Sequence, residues 1–112
     1  MLRDYRAFLE DIYESTIRIE LYTEDISFEE FKKNTLLQDA VVRNLEIIGE
    51  ASKNIPMTIR EQNSEIEWKK ITGLRDILIH AYFGIDLDII WDVVKNKIPS
   101  LKTKISDLLK VE

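Results

Sequence analysis

The chain has 112 residues, 45% of them hydrophobic and 33% charged, which suffices for one hydrophobic core but not for two ordinary domains, so a single domain over residues 1–112 is predicted. Because the sequence contains no cysteine, disulfides, thiolate catalysis and cysteine-ligated zinc are excluded. A formal net charge of −5 argues against a protein that coats nucleic acid through bulk electrostatics.

The first predicted element is an amphipathic helix of about six turns. Its apolar stripe consists of Leu2, Tyr5, Leu9, Ile12, Thr16 and Ile19. Residues 1–30 carry three Arg against nine Asp and Glu, a balance of −6 that leaves +1 for the remaining 82 residues. An RNA strand could therefore approach the second part of the chain but not the first. No apolar run reaches the roughly 18 residues that span a bilayer, and no secretory segment opens the chain, so a cytoplasmic protein away from membranes is expected.

A second helix is predicted to begin at Ser27. The serine and Glu30 have the spacing of a capping box, and Ile26 can pack on Phe31 across it. These residue types satisfy the first backbone N–H groups of a helix and fix the direction in which the chain enters it.

The third predicted helix ends at Ile55, because the following Pro56 disfavours helical geometry in the residue before it. Its apolar stripe consists of Leu37, Ala40, Val41, Asn44, Ile48 and Ala51. Asn44 is the polar member, and it either bonds backbone groups or points at a cleft. Thr58 and Ser64 each precede a glutamate by three residues, which predicts a short helix and then a fresh start into Trp68.

The last helix is predicted to be capped by Asp86, with Ile85 packed on Ile90. Pro99 lies inside it and removes the hydrogen bond to the carbonyl of Lys95, so a kink is expected there. A core-facing seam runs through Leu87, Trp91, Val94, Ile98, Leu101, Ile105 and Leu108. Together these elements predict an all-α antiparallel bundle of four to five helices.

The charged residues outside these stripes allow either a structural or a functional role. The C-terminal helix is locally basic and presents either a solvated face or a guide for RNA; its lysines are Lys95, Lys97, Lys102, Lys104 and Lys110. Glu46 and Glu50 share a face, but with one histidine and no cysteine in the chain they are interpreted as salt-bridge partners of Arg43 and Lys53 rather than as metal ligands.

Residues 74–83 contain the candidate catalytic side chains. If they form a helix, one side is a buried stripe of Leu74, Ile77, Leu78 and Ala81. The other side spans about 160° and carries, in order around the helix, Tyr82, Arg75, Ile79, Phe83, Asp76 and His80. Apolar residues in the middle of titratable ones are typical of a partner surface.

His80 is the only histidine, whereas RNA cleavage through the ribose 2′-hydroxyl uses both a general base and a general acid. Asp76, four residues earlier, either orients the imidazole or is only a charge near the helix start. Arg75 and His80 are about 140° apart on an ideal helix, so one phosphate contacts both only with long side chains, a distorted helix end or a second chain. A two-fold dimer packed through this face places two copies of each residue in one cleft.

The segment resembles the R-(four to six residues)-H-x-Y motif of HEPN ribonucleases. The matching run is Arg75-Asp76-Ile77-Leu78-Ile79-His80-Ala81-Tyr82. Its flanks and an upstream run are similar to the HepT branch of that family: Gly73-Leu74, Phe83-Gly84-Ile85-Asp86, Trp91, and Arg43-Asn44-Leu45-Glu46-Ile47-Ile48-Gly49-Glu50-Ala51. The likeness covers most of the chain.

This resemblance implies a homodimeric, metal-independent endoribonuclease toxin of the HepT/MntA type that needs no cofactor. Arg75 and His80 would be its catalytic residues, and RNA its substrate. The resemblance also implies an MntA-like minimal nucleotidyltransferase antitoxin that silences the toxin by adding adenylyl groups to Tyr82. The alternative is a non-catalytic HEPN adaptor that binds a minimal nucleotidyltransferase or a nucleotide through the same face.

Overall fold

The computed structural model describes residues 4–74, 76–78 and 86–111, and the regular elements in these ranges are all helical. In chain order they are α1 (Tyr5–Thr23), α2 (Phe28–Lys32), α3 (Thr35–Ser52), α4 (Met57–Gln62), α5 (Trp68–Thr72), α6 (Leu87–Asp92), a π-helical turn (Val93–Lys97) and α7 (Ile98–Val111). Residues 74 and 76–78 are helical as well. The predicted all-helical bundle is confirmed. None of the helices in these ranges is long and apolar enough to cross a membrane.

The core lies where α1 packs against α3 and α7. The predicted stripe of α1 is buried through Leu9, Ile12, Thr16 and Ile19, and Tyr5 is half-buried against the core. The seam of the C-terminal helix is buried through Val94, Ile98, Leu101, Ile105 and Leu108. These apolar stripes explain the arrangement, because each long helix has one face that must leave water.

The capping prediction is right at Ser27. The Ser27 hydroxyl accepts the N–H of Glu30 at 3.1 Å, and the Glu30 carboxylate accepts the N–H of Ser27 at 3.1 Å. Phe31 is fully buried beyond this box. The helix therefore begins where the sequence placed it, with its first N–H groups satisfied.

The predicted short helix and the fresh start into Trp68 are confirmed, but Thr58 and Ser64 do not cap them. The first of these helices begins at Met57 behind Pro56, and the second at Trp68 behind Glu67, neither with a side-chain cap. At the first helix the carbonyl of Pro56 already accepts two backbone N–H groups, and before the second a turn through residues 63–68 occupies the chain. Asp86 is the capping residue of α6 as predicted, but its side chain accepts no cap hydrogen bond.

The irregularity predicted at Pro99 is a π-helical turn. Pro99 is the second residue of α7, and the N–H of Ile98 donates to the carbonyl of Val93, five residues earlier. The wider turn makes room for the proline ring, which would otherwise meet the carbonyl four residues before it. The helix therefore continues through Pro99 without being split.

The polar member of the α3 stripe, Asn44, is 5% exposed. Its Nδ2 donates to the carbonyl of Ala40 at 2.9 Å, which agrees with the predicted backbone bond. Its Oδ1 has no hydrogen-bond partner among the described residues. Asn44 thus lies inside the bundle instead of lining an open cleft.

Candidate functional site

Of the four residues predicted to form the site, the structure describes Asp76. Arg75, His80 and Tyr82 lie outside the described residues. Asp76 is exposed, and its N–H donates to the carbonyl of Gly73 at 3.1 Å. Its pairing with His80 and the positions of the other three side chains stay predictions.

The described helical residues on either side of Arg75 pack against the core through their buried side chains. Leu74 is 6% exposed and Leu78 4%, and Ile77 is half-buried against the core. The buried stripe predicted for this segment is therefore confirmed at these three positions, while its fourth member, Ala81, lies outside the described residues. Asp76 points to solvent while its neighbours point inward, as a helix with one buried face requires.

Gly49 of α3 lies directly beneath the start of this segment. A Cβ at Gly49 would stand 3.5 Å from the carbonyl oxygen of Ile71 and 3.8 Å from Cβ of Leu74. These are ordinary van der Waals distances, so a methyl group fits at this position, whereas a longer side chain would overlap Ile71 and Leu74. Gly49 thus lets α3 support the backbone that leads into Arg75.

Replacing Gly49 is expected to raise or to lower the free energy of unfolding, depending on the size of the new side chain. Alanine fits, and it should raise the free energy of unfolding by about 0.5–1 kcal/mol, because glycine is a poor residue for a helix interior. Leucine should lower it by about 1–3 kcal/mol through overpacking against Ile71 and Leu74. Urea unfolding of both variants measures this, and a neutral leucine variant would show that α3 does not support the segment closely.

An open groove of about 480 Å³ lies beside the same segment. Leu74 and Ile77 form one wall, and the π-helical turn and α7 form the other. Half of the described lining residues are aliphatic: Ile66, Ile71, Leu74, Ile77, Ile89, Val93, Ile98 and Leu101. We refer to this cavity as the basic groove, because of the charges at its rim.

Three lysines at the rim of the basic groove surround one glutamate. Lys70 Nζ lies 2.7 Å from Glu67 Oε2, and Lys97 Nζ lies 3.9 Å from Glu67 Oε1. Lys104 donates to the backbone carbonyl of Glu65 at 2.9 Å. The hydrogen bond from Lys70, followed by the charges of Lys70, Lys97 and Lys104, lowers the pKa of Glu67 below its ordinary value. The carboxylate is thereby kept ionised among three cations.

The remaining lysines of the C-terminal helix are engaged elsewhere. Lys95 donates to the carbonyl of Thr23, the last residue of α1, at 2.8 Å and lies over the Trp91 ring. Lys102 is paired with Glu20 of α1, which raises the pKa of the lysine. The charge of Lys110 lies 3.9 Å from Asp107 on its own helix. The basic stretch seen in the sequence therefore divides, and Lys97 and Lys104 are the two members that reach the groove.

Sequence reasoning missed Lys70 and Glu67. They lie on or beside a five-residue helix, about 30 residues before the lysines that they meet, and no local pattern connects the two segments. The seven-residue spacing of Lys97 and Lys104 was a usable signal, because residues seven apart share a helix face.

The described part of the chain holds no group of three or more His, Asp or Glu side chains arranged for a metal ion. Lys53 lies 3.3 Å from Glu50, in agreement with the predicted salt bridge at that position. Metal independence remains a prediction.

The sequence matches one family model and relatives from two organisms. A family model described as "Ribonuclease HepT-like" matches residues 12–108. "Probable ribonuclease HepT" of Thermococcus cleftensis is 49% identical over 98% of this chain and 100% of that protein. "Gamma-glutamylcyclotransferase and putative RNase" of Methanocaldococcus jannaschii is 47% identical over 98% of this chain, which spans only 50% of that protein.

A solved structure also matches the fold. It is a tri-AMPylated Shewanella oneidensis HEPN toxin in complex with an MNT antitoxin. The two chains superpose with a TM-score of 0.67 and 26% sequence identity, over 99% of this chain and 100% of that one. The likeness therefore extends over the whole bundle.

Proposed function

The chain belongs to the HepT-like ribonuclease family, and on that basis we propose that it is a metal-independent endoribonuclease toxin of a toxin–antitoxin pair. One observation carries the proposal: the family match over residues 12–108 includes Arg75, His80 and Tyr82 in the spacing of the HEPN motif. The inward packing of Leu74 and Leu78 supports it, because these residues anchor the segment that bears the motif.

In the proposed reaction Arg75 binds the scissile phosphate and offsets its developing charge. His80 of one copy takes the proton from the ribose 2′-hydroxyl, the 2′-oxygen attacks phosphorus, and the bond from phosphorus to the 5′-oxygen breaks. The partner's His80 gives a proton to the departing 5′-oxygen. The products are a 2′,3′-cyclic phosphate and a 5′-hydroxyl, and no metal ion enters the balance.

The reaction needs two copies of the chain in this proposal. Each copy has a single histidine, and general acid–base cleavage uses two proton-transfer groups. A two-fold dimer supplies both, together with two Arg75 side chains for the phosphate. The exposed position of Asp76 supports this arrangement, because a partner can reach this one residue of the predicted outward side.

The proposal is tested with purified protein and a labelled oligoribonucleotide in the presence of EDTA. Cleavage is expected to continue in EDTA and to leave 2′,3′-cyclic phosphate ends. A matched oligonucleotide with one 2′-deoxy residue should resist cleavage at that bond only, because the attacking oxygen is missing there. Cleavage that stops in EDTA or proceeds at the 2′-deoxy residue would refute the mechanism. Absence of cleavage together with a stable nucleotidyltransferase complex would favour the non-catalytic adaptor.

Tyr82 is proposed as the residue that the antitoxin modifies. The matching Shewanella oneidensis toxin is tri-AMPylated and bound to an MNT antitoxin, which supports a minimal nucleotidyltransferase as the partner here. Adenylyl groups on Tyr82 would add negative charge and bulk beside Arg75 in the motif, and so repel the phosphate of RNA.

Changing Tyr82 to phenylalanine is expected to keep cleavage while removing silencing. The variant lacks the acceptor oxygen but retains the ring, so incubation with the nucleotidyltransferase and ATP should neither raise its mass by adenylyl units nor lower its activity. Intact-mass spectrometry and the cleavage assay measure both effects. Tyr22, which is exposed, provides a control: its phenylalanine variant should still be modified and silenced.

A further inference from the structure

The basic groove has the size and lining of a site for one nucleotide. Its volume of about 480 Å³ lies in the range of small-ligand sites. Its aliphatic walls offer a dry surface to the face of a base. At one edge Asn96 donates to Asp92 at 2.6 Å, and this amide and carboxylate also line the groove. They leave polar atoms free to bond the edge of a base.

The charge at the rim favours an anion. The described lining contains Lys70, Lys97 and Lys104 against the carboxylates Glu67 and Asp92, an excess of one positive charge in a chain whose formal net charge is −5. Two of the lysines share Glu67 as their carboxylate, so neither is fully neutralised by it. A second anion therefore finds uncompensated ammonium groups at this position.

The groove is also beside the proposed active site in the chain. Leu74 and Ile77, which line it, lie one residue before and two residues after Arg75. A nucleotide held between these residues and the π-helical turn thus contacts residues that adjoin, in the chain, the arginine assigned to the scissile phosphate. The acidic α1 is not part of the described lining.

We propose that the basic groove is an RNA subsite, in which the aliphatic walls hold one base next to the cleaved bond and Lys70, Lys97 and Lys104 bind the adjoining phosphates. This inference rests on the proposed ribonuclease function and adds to it where the substrate strand lies. Glu67 acts in this site as a competitor, because it pairs with Lys70 and Lys97 when no RNA is bound.

The lysines are tested by RNA binding in a His80→Ala background, which prevents cleavage during the measurement. Fluorescence anisotropy with a labelled oligoribonucleotide is compared for the parent and for a variant carrying Lys70→Gln, Lys97→Gln and Lys104→Gln. The triple variant should bind about tenfold more weakly at 0.1 M salt. The slope of log binding constant against log salt concentration should become less steep by about two, since each phosphate contact to a single strand contributes about 0.7 to that slope. Urea unfolding of the same variant verifies that it is folded.

Lys110→Gln is the matched control. Its side chain is 75% exposed and pairs with a carboxylate three residues earlier, as that of Lys70 does at 73% exposure, but it does not line the groove. This variant should bind RNA as the parent does. Glu67→Gln should bind RNA about 1.5–5-fold more tightly, the affinity change that corresponds to one exposed charge interaction.

The base-binding part is tested with oligonucleotides that carry one abasic residue at successive positions. Affinity should fall by about 3–10-fold at the position next to the cleaved bond, in line with loss of one base contact. A flat abasic profile overturns the base site, and unchanged binding by the triple variant overturns the phosphate site. In both cases cleavage by the unaltered chain would leave the proposed function standing. An unaltered chain that neither binds nor cleaves RNA refutes the function and the subsite together, whereas a triple variant that loses only its dimer or its antitoxin complex assigns the groove to a protein interface.

Discussion

His80→Ala is expected to reduce the rate of RNA cleavage by about 10²–10⁴-fold, the usual contribution of a positioned general acid or base. The loss should lie at the upper end of that range. His80 is the only histidine in the chain, so in a two-fold dimer a single substitution removes both proton-transfer groups at once. Single-turnover cleavage at saturating protein measures the chemical step directly.

Two controls make the His80 result specific. The dimer and the free energy of unfolding should match those of the unaltered chain, because the substitution is expected at a surface that binds substrate rather than in the core. Imidazole added to the His80→Ala protein should restore part of the rate, as it supplies the missing proton-transfer group. A variant that cleaves at the unaltered rate would remove His80 from the mechanism.

Arg75→Ala is expected to lower cleavage by about 10²–10³-fold, the cost of removing one preorganised group that stabilises charge in the transition state. The substitution leaves the buried Leu74 and Leu78 unchanged, so the segment should keep its place. Arg75→Lys retains the charge but loses the two-pronged contact with phosphate, and it should recover only a small part of the rate.

The exposed Asp76→Asn variant serves as the comparison for Arg75. Its position next to Arg75 changes the local charge by one unit without removing the guanidinium. If Asp76 only orients His80, this variant should change the pH dependence of cleavage more than the maximal rate. Equal activity of Arg75→Ala and the unaltered chain would contradict a phosphate-binding role.

The fold was predictable to a large extent because long apolar stripes determine which helix faces are buried. The stripes of α1 and α7 predicted their buried residues almost completely, and the box at Ser27 predicted a helix start to the residue. The capping boxes predicted at Thr58 and Ser64 did not form. Their spacing carries no information on whether another group already accepts the backbone N–H groups at the helix start. At these positions Pro56 and the turn through residues 63–68 had done so.

The candidate site was predictable only in its local part. A motif within eight residues can be read from the sequence, and the burial of Leu74 and Leu78 agrees with the reading. The basic groove depends on contacts between α5 and the C-terminal helix, such as Lys97 with Glu67 across 30 positions. Nothing in either segment alone specifies that meeting, which is set by how the helices pack.

A shared cleft between two copies is tested most directly by mixing the unaltered chain with the His80→Ala chain in equal amounts, denaturing the mixture and refolding it. A mixed dimer then holds one histidine instead of two, and the proposed reaction uses both. The rate at equal total protein is predicted to fall to about a quarter of that of the unaltered chain, because roughly one dimer in four retains both histidines when copies pair at random. A rate near one half, with native mass spectrometry verifying that mixed dimers have formed, would show that each copy cleaves without the histidine of its partner.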